Sequence, residues 1–413
     1  MLIQFTVENY KSFRDKTVLS LEASSDKELK NNFSVFGANK ILNSAAIFGA
    51  NASGKSNLFL ALYSAVNVIK RSDRRQINEP IFQIEPYCFN EEYKLKPTSF
   101  EFVFIAEGKK YVYGFSATRR KITEEYLYVY NTAKPSVIFE RNENNEYRFT
   151  SSAIKNELSP IIERNADNKL LLSTATAWNC ECTRIAYLWF SEKMNAYAND
   201  DRLFQTTNSM FDDDEDNTLK EFTTKLLHEA DINIDDYEVE SFQIGKGISV
   251  NKDDALSLPI KRTRIKTAHT IYENGQKNIV YIPLMRESQG TKNLFMLSPI
   301  LKRAFENGET IFIDEFDANL HPLLVIFLLK LFNNPSVNKT NAQLIITAHS
   351  TDLLSLDVLR RDQIYFIEKN RKNAVSELYS LDEFSPRKDE NVRKAYLMGR
   401  YGSLPILPEE AEL

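Results

Sequence analysis

Ala45-Ala46-Ile47-Phe48-Gly49-Ala50-Asn51-Ala52-Ser53-Gly54-Lys55-Ser56-Asn57 is the stretch on which the fold turns. An apolar run enters a loop of the form G-x-x-x-x-G-K-S. Leu58, Leu60, Leu62, Ala65, Val66 and Ile69 follow at helical spacing, giving strand, glycine loop and helix in order. In that setting the glycines let backbone N–H groups turn inward around phosphates. Lys55 reaches the β and γ oxygens, and the Ser56 hydroxyl ligates Mg²⁺ at the positive end of the helix. Residues 49–57 are therefore nucleotide-binding candidates. A decorative turn is the alternative, and it is a poor one in a chain with only 12 glycines in 413 residues.

Three downstream segments fit around that loop. Thr310-Ile311-Phe312-Ile313-Asp314-Glu315 is an apolar strand ending in two acids. Asp314 would hold the metal through water, and Glu315 would polarise an attacking water. Buried strands often end in acids, so the motif gains its meaning from the upstream loop. Gln343-Leu344-Ile345-Ile346-Thr347-Ala348-His349 repeats the pattern at the sheet edge where open α/β folds bind ligands. His349 is a candidate γ-phosphate sensor, against the plainer reading of a structural histidine. Glu287-Ser288-Gln289-Gly290-Thr291 offers a serine hydroxyl, a glycine and a helix N-terminus, an anion site of its own.

In this order of loop, S-x-G segment, acidic strand end and histidine strand, the chain resembles the ABC-type ATPases, in the branch containing SMC, RecF and OLD-family proteins. Val7-Glu8-Asn9-Tyr10-Lys11-Ser12-Phe13, the E-S-x-G-T form and Gly399-Arg400-Tyr401-Gly402 resemble the bacterial abortive-infection (RloA/AbiL-like) ATPases. The resemblance implies ATP and Mg²⁺ as ligands and two heads packed face to face in a homodimer. It implies that Ser288, Gln289, Gly290 and Thr291 act in trans as the signature, with Asn319, Leu320 and His321 as the D-loop. Gln289 and Thr291 depart from the transporter form L-S-G-G-Q. Gln83 is the best candidate for a Q-loop ligand, with an ordinary surface glutamine as the alternative. Tyr10 or Phe13 could flank the adenine, or belong to the core.

The rest of the chain sets the frame. The fold class expected is α/β: a mostly parallel sheet flanked by helices, with an antiparallel β subdomain and an inserted helical subdomain. Residues 1–149 form the first lobe, including hairpins from about residue 80 onward. Residues 150–236 form the helical insertion, and 237–413 the second lobe. Leu2 to Val7 and Thr17 to Leu21 read as paired strands, and strand-like segments recur at 237–244 and 266–272. The acidic run Asp212-Asp213-Asp214-Glu215-Asp216 reads as a solvated loop. The stretch from Asn391 to Pro405 suits a dimer contact or a partner surface, and the sequence does not decide between them.

With 43% hydrophobic and 26% charged residues the chain is an ordinary globular protein, and its longest apolar runs fall well short of a membrane span. No signal-peptide pattern follows Met1, so the cytoplasm is expected. Three cysteines (Cys88, Cys180, Cys182) support neither a disulfide framework nor a zinc site. A net charge of −5 does not indicate nucleic acid, leaving the local clusters Lys70-Arg71 with Arg74-Arg75, Arg119-Arg120-Lys121, and Lys261-Arg262 with Arg264 as the only footing for it. No intrinsic nuclease is expected: four histidines leave little material for one, and the 64 residues after His349 are too few for a Toprim domain. The central segment lacks the sustained heptads of a coiled-coil repair ATPase. Three functions remain. The first is an ATP-driven dimeric switch of a bacterial anti-phage, abortive-infection system that controls a separately encoded effector protein. The second is a RecF-like DNA-binding clamp in repair, and the third a degenerate ATP-binding scaffold.

Overall fold

A computed structural model describes residues 1–198, 201–244 and 260–405. At its centre lies a six-stranded sheet in the order Met194–Ala198, Thr310–Asp314, Gln343–Thr347, Ser44–Phe48, Ile364–Lys369, Ser376–Ser380. The first five strands run parallel and the last is antiparallel to its neighbour. Ala45, Ala46, Ile47, Ile311, Phe312, Ile313, Leu344, Ile345 and Ile346 are all fully buried. Parallel strands covered on both faces must be apolar at successive positions, which is why these segments carry no alternation.

Successive residues of these strands nevertheless face different cores. Ala45, Ile47, Phe312 and Ile345 join one cluster, and Ala46, Ile311, Ile313, Leu344 and Ile346 the other. The first cluster is closed by the helix Lys55–Arg71 and by a seven-stranded antiparallel sheet. That sheet runs in the order Tyr147–Arg148, Ser136–Arg141, Ile122–Tyr130, Lys109–Ala117, Thr98–Ala106, Leu2–Glu8, Thr17–Ser20. Its aromatic face meets Trp189 and Phe190, with the rings of Phe104 and Trp189 stacked at 4.0 Å. The second cluster is closed by the helices Gln289–Asn307 and Pro322–Phe332. The result is an α/β fold that aligns the ends of Ser44–Phe48, Thr310–Asp314 and Gln343–Thr347 at one sheet edge.

The stretch 150–236, expected to be helical, holds the helices Ser152–Ile162, Leu171–Ala177, Glu181–Leu188, Asp201–Asp212 and Thr218–Glu229. It also supplies the edge strand Met194–Ala198 of the central sheet. That strand is short and only Met194 is buried, so its local sequence lacks the apolar run that marks the inner strands. The two expected segments beyond it lengthen to Asp236–Ile244 and Ile260–Glu273. Gln276–Pro283 adds a third strand across an Asn274-Gly275 turn. The acidic run is exposed at Asp213, Glu215 and Asp216, and Asp214 also accepts from Leu219 N–H and Lys220 N–H at the start of Thr218–Glu229.

Candidate functional site

The loop after Ser44–Phe48 is held in place by its surroundings. Gly54 has φ 121°, and a Cβ there would come within 2.5 Å of Ser376 Oγ and 3.0 Å of Ser12 Oγ. Only glycine suits that backbone and that space. Ser376 Oγ also lies within hydrogen-bond reach of the Ser53 carbonyl, and Asn57 Nδ2 donates to Ser12 Oγ at 2.8 Å. Ser12 thus gives the Val7-to-Phe13 stretch a role that its sequence did not disclose: it buttresses the glycine loop from behind. Tyr10 and Phe13, considered above as adenine contacts, are fully buried, and Tyr10 Oη lies 2.9 Å from Ser64 Oγ. They belong to the core cluster that Lys55–Arg71 helps to close, and Tyr10 reaches that helix through its hydroxyl.

Lys55 Nζ donates to the carbonyls of Gly49 at 2.7 Å and Ala50 at 3.2 Å. Burial lowers its pKa, while Asp314, Asp317 and Glu315 work to keep it charged. Ser56, one residue on, is exposed.

The acids at the end of Thr310–Asp314, two strands from the loop, are organised by one hydroxyl from the strand between. Thr347 Oγ1 donates to Asp314 Oδ1 at 2.6 Å and accepts from Glu315 N–H at 2.7 Å. Glu315 sits in the left-handed region at φ 51°, a conformation that costs ~1–3 kcal/mol for a non-glycine residue and that this hydrogen bond helps to fix. Its Oε1 lies 4.0 Å from His349 Nε2, and both side chains are about half exposed. Asp317 was not singled out in the sequence. Its Oδ2 accepts from His349 N–H at 2.8 Å and Ser350 N–H at 2.6 Å, so it ties the segment after Asp314 to the histidine loop. Its Oδ1 is buried and has no hydrogen-bond partner among the described residues. The one signal available was a third acid two residues beyond Glu315.

Ser288 caps the helix Gln289–Asn307, its Oγ accepting from Thr291 N–H at 3.1 Å and lying 2.8 Å from Thr291 Oγ1. A Cβ on Gly290 would come within 2.8 Å of the Asn319 carbonyl, and Asn293 Nδ2 donates to the Ala318 carbonyl at 3.0 Å. The signature and D-loop candidates therefore share one surface. Within it Leu320 is 7% exposed, while His321 uses its Nδ1 to accept from Leu323 N–H at the start of Pro322–Phe332. Ser288 and Gln289 are exposed, and Gln289 Nε2 reaches Asn293 Oδ1 at 3.2 Å. Glu287 turns the other way. Its Oε1 meets His269 Nε2 at 2.8 Å and accepts from Thr267 Oγ1, both on Ile260–Glu273.

A cavity of about 1020 Å³ opens beside the glycine loop. It is lined by residues 49–53, His349, 367–372, Tyr396 and 403–405, among others. Neither residues 288–291 nor Gln83 contribute to it. The stretch from Asn391 to Pro405 sits against the glycine loop: the Ser403 carbonyl accepts from Ala50 N–H at 3.0 Å. Of the basic cluster at 70–75, Lys70 and Arg75 are taken up within the fold, while Arg71 and Arg74 are exposed. Lys70 Nζ donates to Met194 O and Asn195 Oδ1, with burial lowering its pKa to about 8, and Arg75 Nη1 donates to the Asn168 carbonyl. Arg119 Nε donates to the Ile84 carbonyl, and Arg264 lies over the Phe242 ring at 5.5 Å. The side chains of Lys261 and Arg262 lie outside the described residues.

One hydroxyl and one carboxylate, Ser56 and Asp314, suit Mg²⁺, which keeps several waters and takes phosphate oxygens as its other ligands. No clustered set of three or more His, Cys, Asp and Glu side chains occurs among the described residues, so a metal held by the protein alone has no counterpart there.

A parallel sheet that presents a glycine loop with an adjoining lysine, and an acid pair from the end of the strand next but one, defines a P-loop ATPase domain. Residues 44–357 match the family model described as "AAA domain, putative AbiEii toxin, Type IV TA system", and the chain belongs to that family. No curated protein matches. Among solved structures, the chain is similar to the SMC head domain from Thermotoga maritima at 14% identity and a TM-score of 0.42, covering 92% of this chain and 98% of that one. It is also similar to a Pyrococcus furiosus Smc head with an extended coiled coil bound to the C-terminal domain of ScpA, at 14% identity and a TM-score of 0.41, covering 93% and 97%. No helix among the described residues is long and apolar enough to cross a membrane.

Proposed function

We propose that this chain binds and hydrolyses ATP as a homodimeric switch, in which each copy's signature closes the pocket of the other. The observation that carries this reading is the position of the signature. Ser288 and Gln289 are exposed and backed by the Asn319 carbonyl, so the signature presents an open face. In this reading, that face completes the pocket of a second copy.

In the chemistry proposed, Lys55 leaves the Gly49 and Ala50 carbonyls for the β and γ oxygens of ATP. Mg²⁺, held through Ser56 and Asp314, would neutralise charge on those oxygens. Glu315 takes a proton from the attacking water, held to its task by the Thr347 hydroxyl. His349, placed by Asp317 through its own backbone N–H, donates to the γ-phosphate. The partner's signature at Ser288 and Gly290 binds the same phosphate from the opposite side.

The family description supports a place in a defence system of the abortive-infection kind, with a separately encoded effector under the control of the ATP-bound dimer. Glu315→Gln tests the core of this reading: ATP should convert the variant from monomer to dimer, measured by light scattering on a sizing column. A variant that turns over ATP as a monomer overturns it. Copurification of a neighbouring gene product, released by ATP hydrolysis, tests the defence role. ATPase stimulation by DNA that weakens with salt would transfer the protein to the clamp reading.

A further inference from the structure

We propose that residues 399–404 are a working wall of the nucleotide site: they hold the Gly49–Ala50 peptide in place when Lys55 leaves it for the phosphates. The inference rests on the ATP-binding reading of the glycine loop and gives the stretch around Gly399-Arg400-Tyr401-Gly402 a positioning role in it. That peptide is gripped from two directions. On one side Lys55 Nζ takes both carbonyls. On the other, the Ser403 carbonyl accepts from Ala50 N–H at 3.0 Å and from Tyr396 Oη at 3.1 Å. When ATP draws Lys55 away, the Ser403 carbonyl still holds the Ala50 N–H.

The segment is built to keep that grip. After the helix Val392–Leu397 the chain turns at Gly399 (φ 80°) and Gly402 (φ 66°), and Ser403 itself stands at φ 59° while 1% exposed. A buried serine in the left-handed region persists only where its surroundings over-determine it. Here Ser403 Oγ donates to the Ile367 carbonyl on the strand beside Ser44–Phe48. Tyr379 Oη donates to the Tyr401 carbonyl at 2.7 Å. The Tyr401 ring, 1% exposed, stacks on Phe366 at 5.8 Å, and its hydroxyl donates to Glu390 at 2.7 Å. The fit to the loop is close. A Cβ on Gly49 would come within 2.5 Å of the Ile367 carbonyl and 3.0 Å of Ser403 Oγ, so Gly49 is required partly by this wall.

Because the wall orients the loop rather than touching the reacting atoms, its loss should remove binding shared by ground and transition states. That raises KM and leaves kcat in place. The test uses the full chain, with ATP affinity by calorimetry, steady-state kinetics and a thermal midpoint without nucleotide. Tyr401→Ala should weaken ATP binding about tenfold with kcat within about twofold, and Tyr401→Phe, which keeps the ring, should restore most of the affinity. A Tyr401→Ala protein with a lowered thermal midpoint but wild-type ATP affinity overturns the proposal, leaving the segment a structural strap. Should Tyr401→Ala fail to fold, Tyr396→Phe and Ser403→Ala remove single hydrogen bonds, and affinities equal to wild type in both overturn it equally. If instead the wild type binds no ATP, or Lys55→Ala binds it as well as the wild type, the reading of the glycine loop fails and takes this inference with it.

Discussion

The glycine loop and the signature differ in how much of their geometry one chain completes. The loop is enclosed at its base: Ser53, Gly54 and Lys55 are buried, with Ser12, Ser376 and Asn57 behind them and Ser403 at the Ala50 amide, while Asn51, Ala52 and Ser56 are exposed to an incoming ligand. The signature has a fixed back and an open front. Gly290 is pressed against Asn319, and Glu287 is bound to His269 and Thr267, while Ser288 and Gln289 face solvent. A proposed phosphate cradle fixed within one chain, and a proposed signature left with an open face, is the arrangement expected where the second half of a pocket arrives with another molecule. The contrast can be broken by experiment at either end.

The largest effect belongs to the enclosed half. Lys55→Ala removes the one side chain of the loop that can place a charge on the phosphates, and ATP affinity should fall by at least about 100-fold. Affinity unchanged in a calorimetric titration would mean that the loop does not bind phosphate. Glu315→Gln should lower kcat about 100- to 1000-fold with ATP binding intact, because the carboxamide keeps the shape and loses the base. Mixing defines the shared site more sharply than either single variant. Ser288→Arg and Lys55→Ala homodimers should each be inactive, and an equimolar mixture should recover activity only in heterodimers that retain one intact composite pocket. Two homodimers with wild-type rates would leave no room for a signature acting in trans.

The same contrast explains what the sequence disclosed. The enclosed half is made of short-range chemistry, and so it was legible: a loop of fixed spacing, apolar strands that end in Asp314 and Glu315, a helix beginning at Lys55. Inner strands buried on both faces announce themselves as unbroken apolar runs, whereas Met194–Ala198, an edge strand with one buried residue, did not. What stayed hidden was the long-range support. Ser12 lies 364 residues from Ser376 and meets it at 2.8 Å, and nothing in either neighbourhood announces the pairing. Tyr10 and Phe13 were legible only as aromatic, and burial decided that they are core. Asp317 could be noticed but not assigned, since its role depends on two backbone amides 32 and 33 residues away. The stretch from Asn391 to Pro405 left two readings open, and packing against the glycine loop favours a third.

The next effect in size also lies in the enclosed half. Thr347 is fully buried and its hydroxyl serves both acids, donating to Asp314 Oδ1 and accepting from Glu315 N–H. Thr347→Val keeps the shape and deletes the hydroxyl, so kcat should drop about tenfold while ATP affinity without metal stays at the wild-type value. Thr347→Ser, which retains the oxygen, should restore most of the rate. A valine variant with wild-type kcat would show that the two acids hold their positions without it.

Glu287 should give the smallest effect, and it tests the open half on its own. Its carboxylate fastens the signature loop to Ile260–Glu273 through His269 and Thr267, and Glu287 does not line the cavity beside the glycine loop. Glu287→Ala should therefore leave ATP affinity of the single chain unchanged, since that pocket is built without it. Turnover should fall a few-fold, about the worth of one positioning hydrogen bond, and more steeply at low protein concentration, where dimer formation limits the rate. Plotting specific activity against protein concentration separates the two contributions. If Glu287→Ala instead weakens ATP binding in the monomer, the signature reaches its own chain's pocket, and the division between an enclosed half and a presented half does not hold.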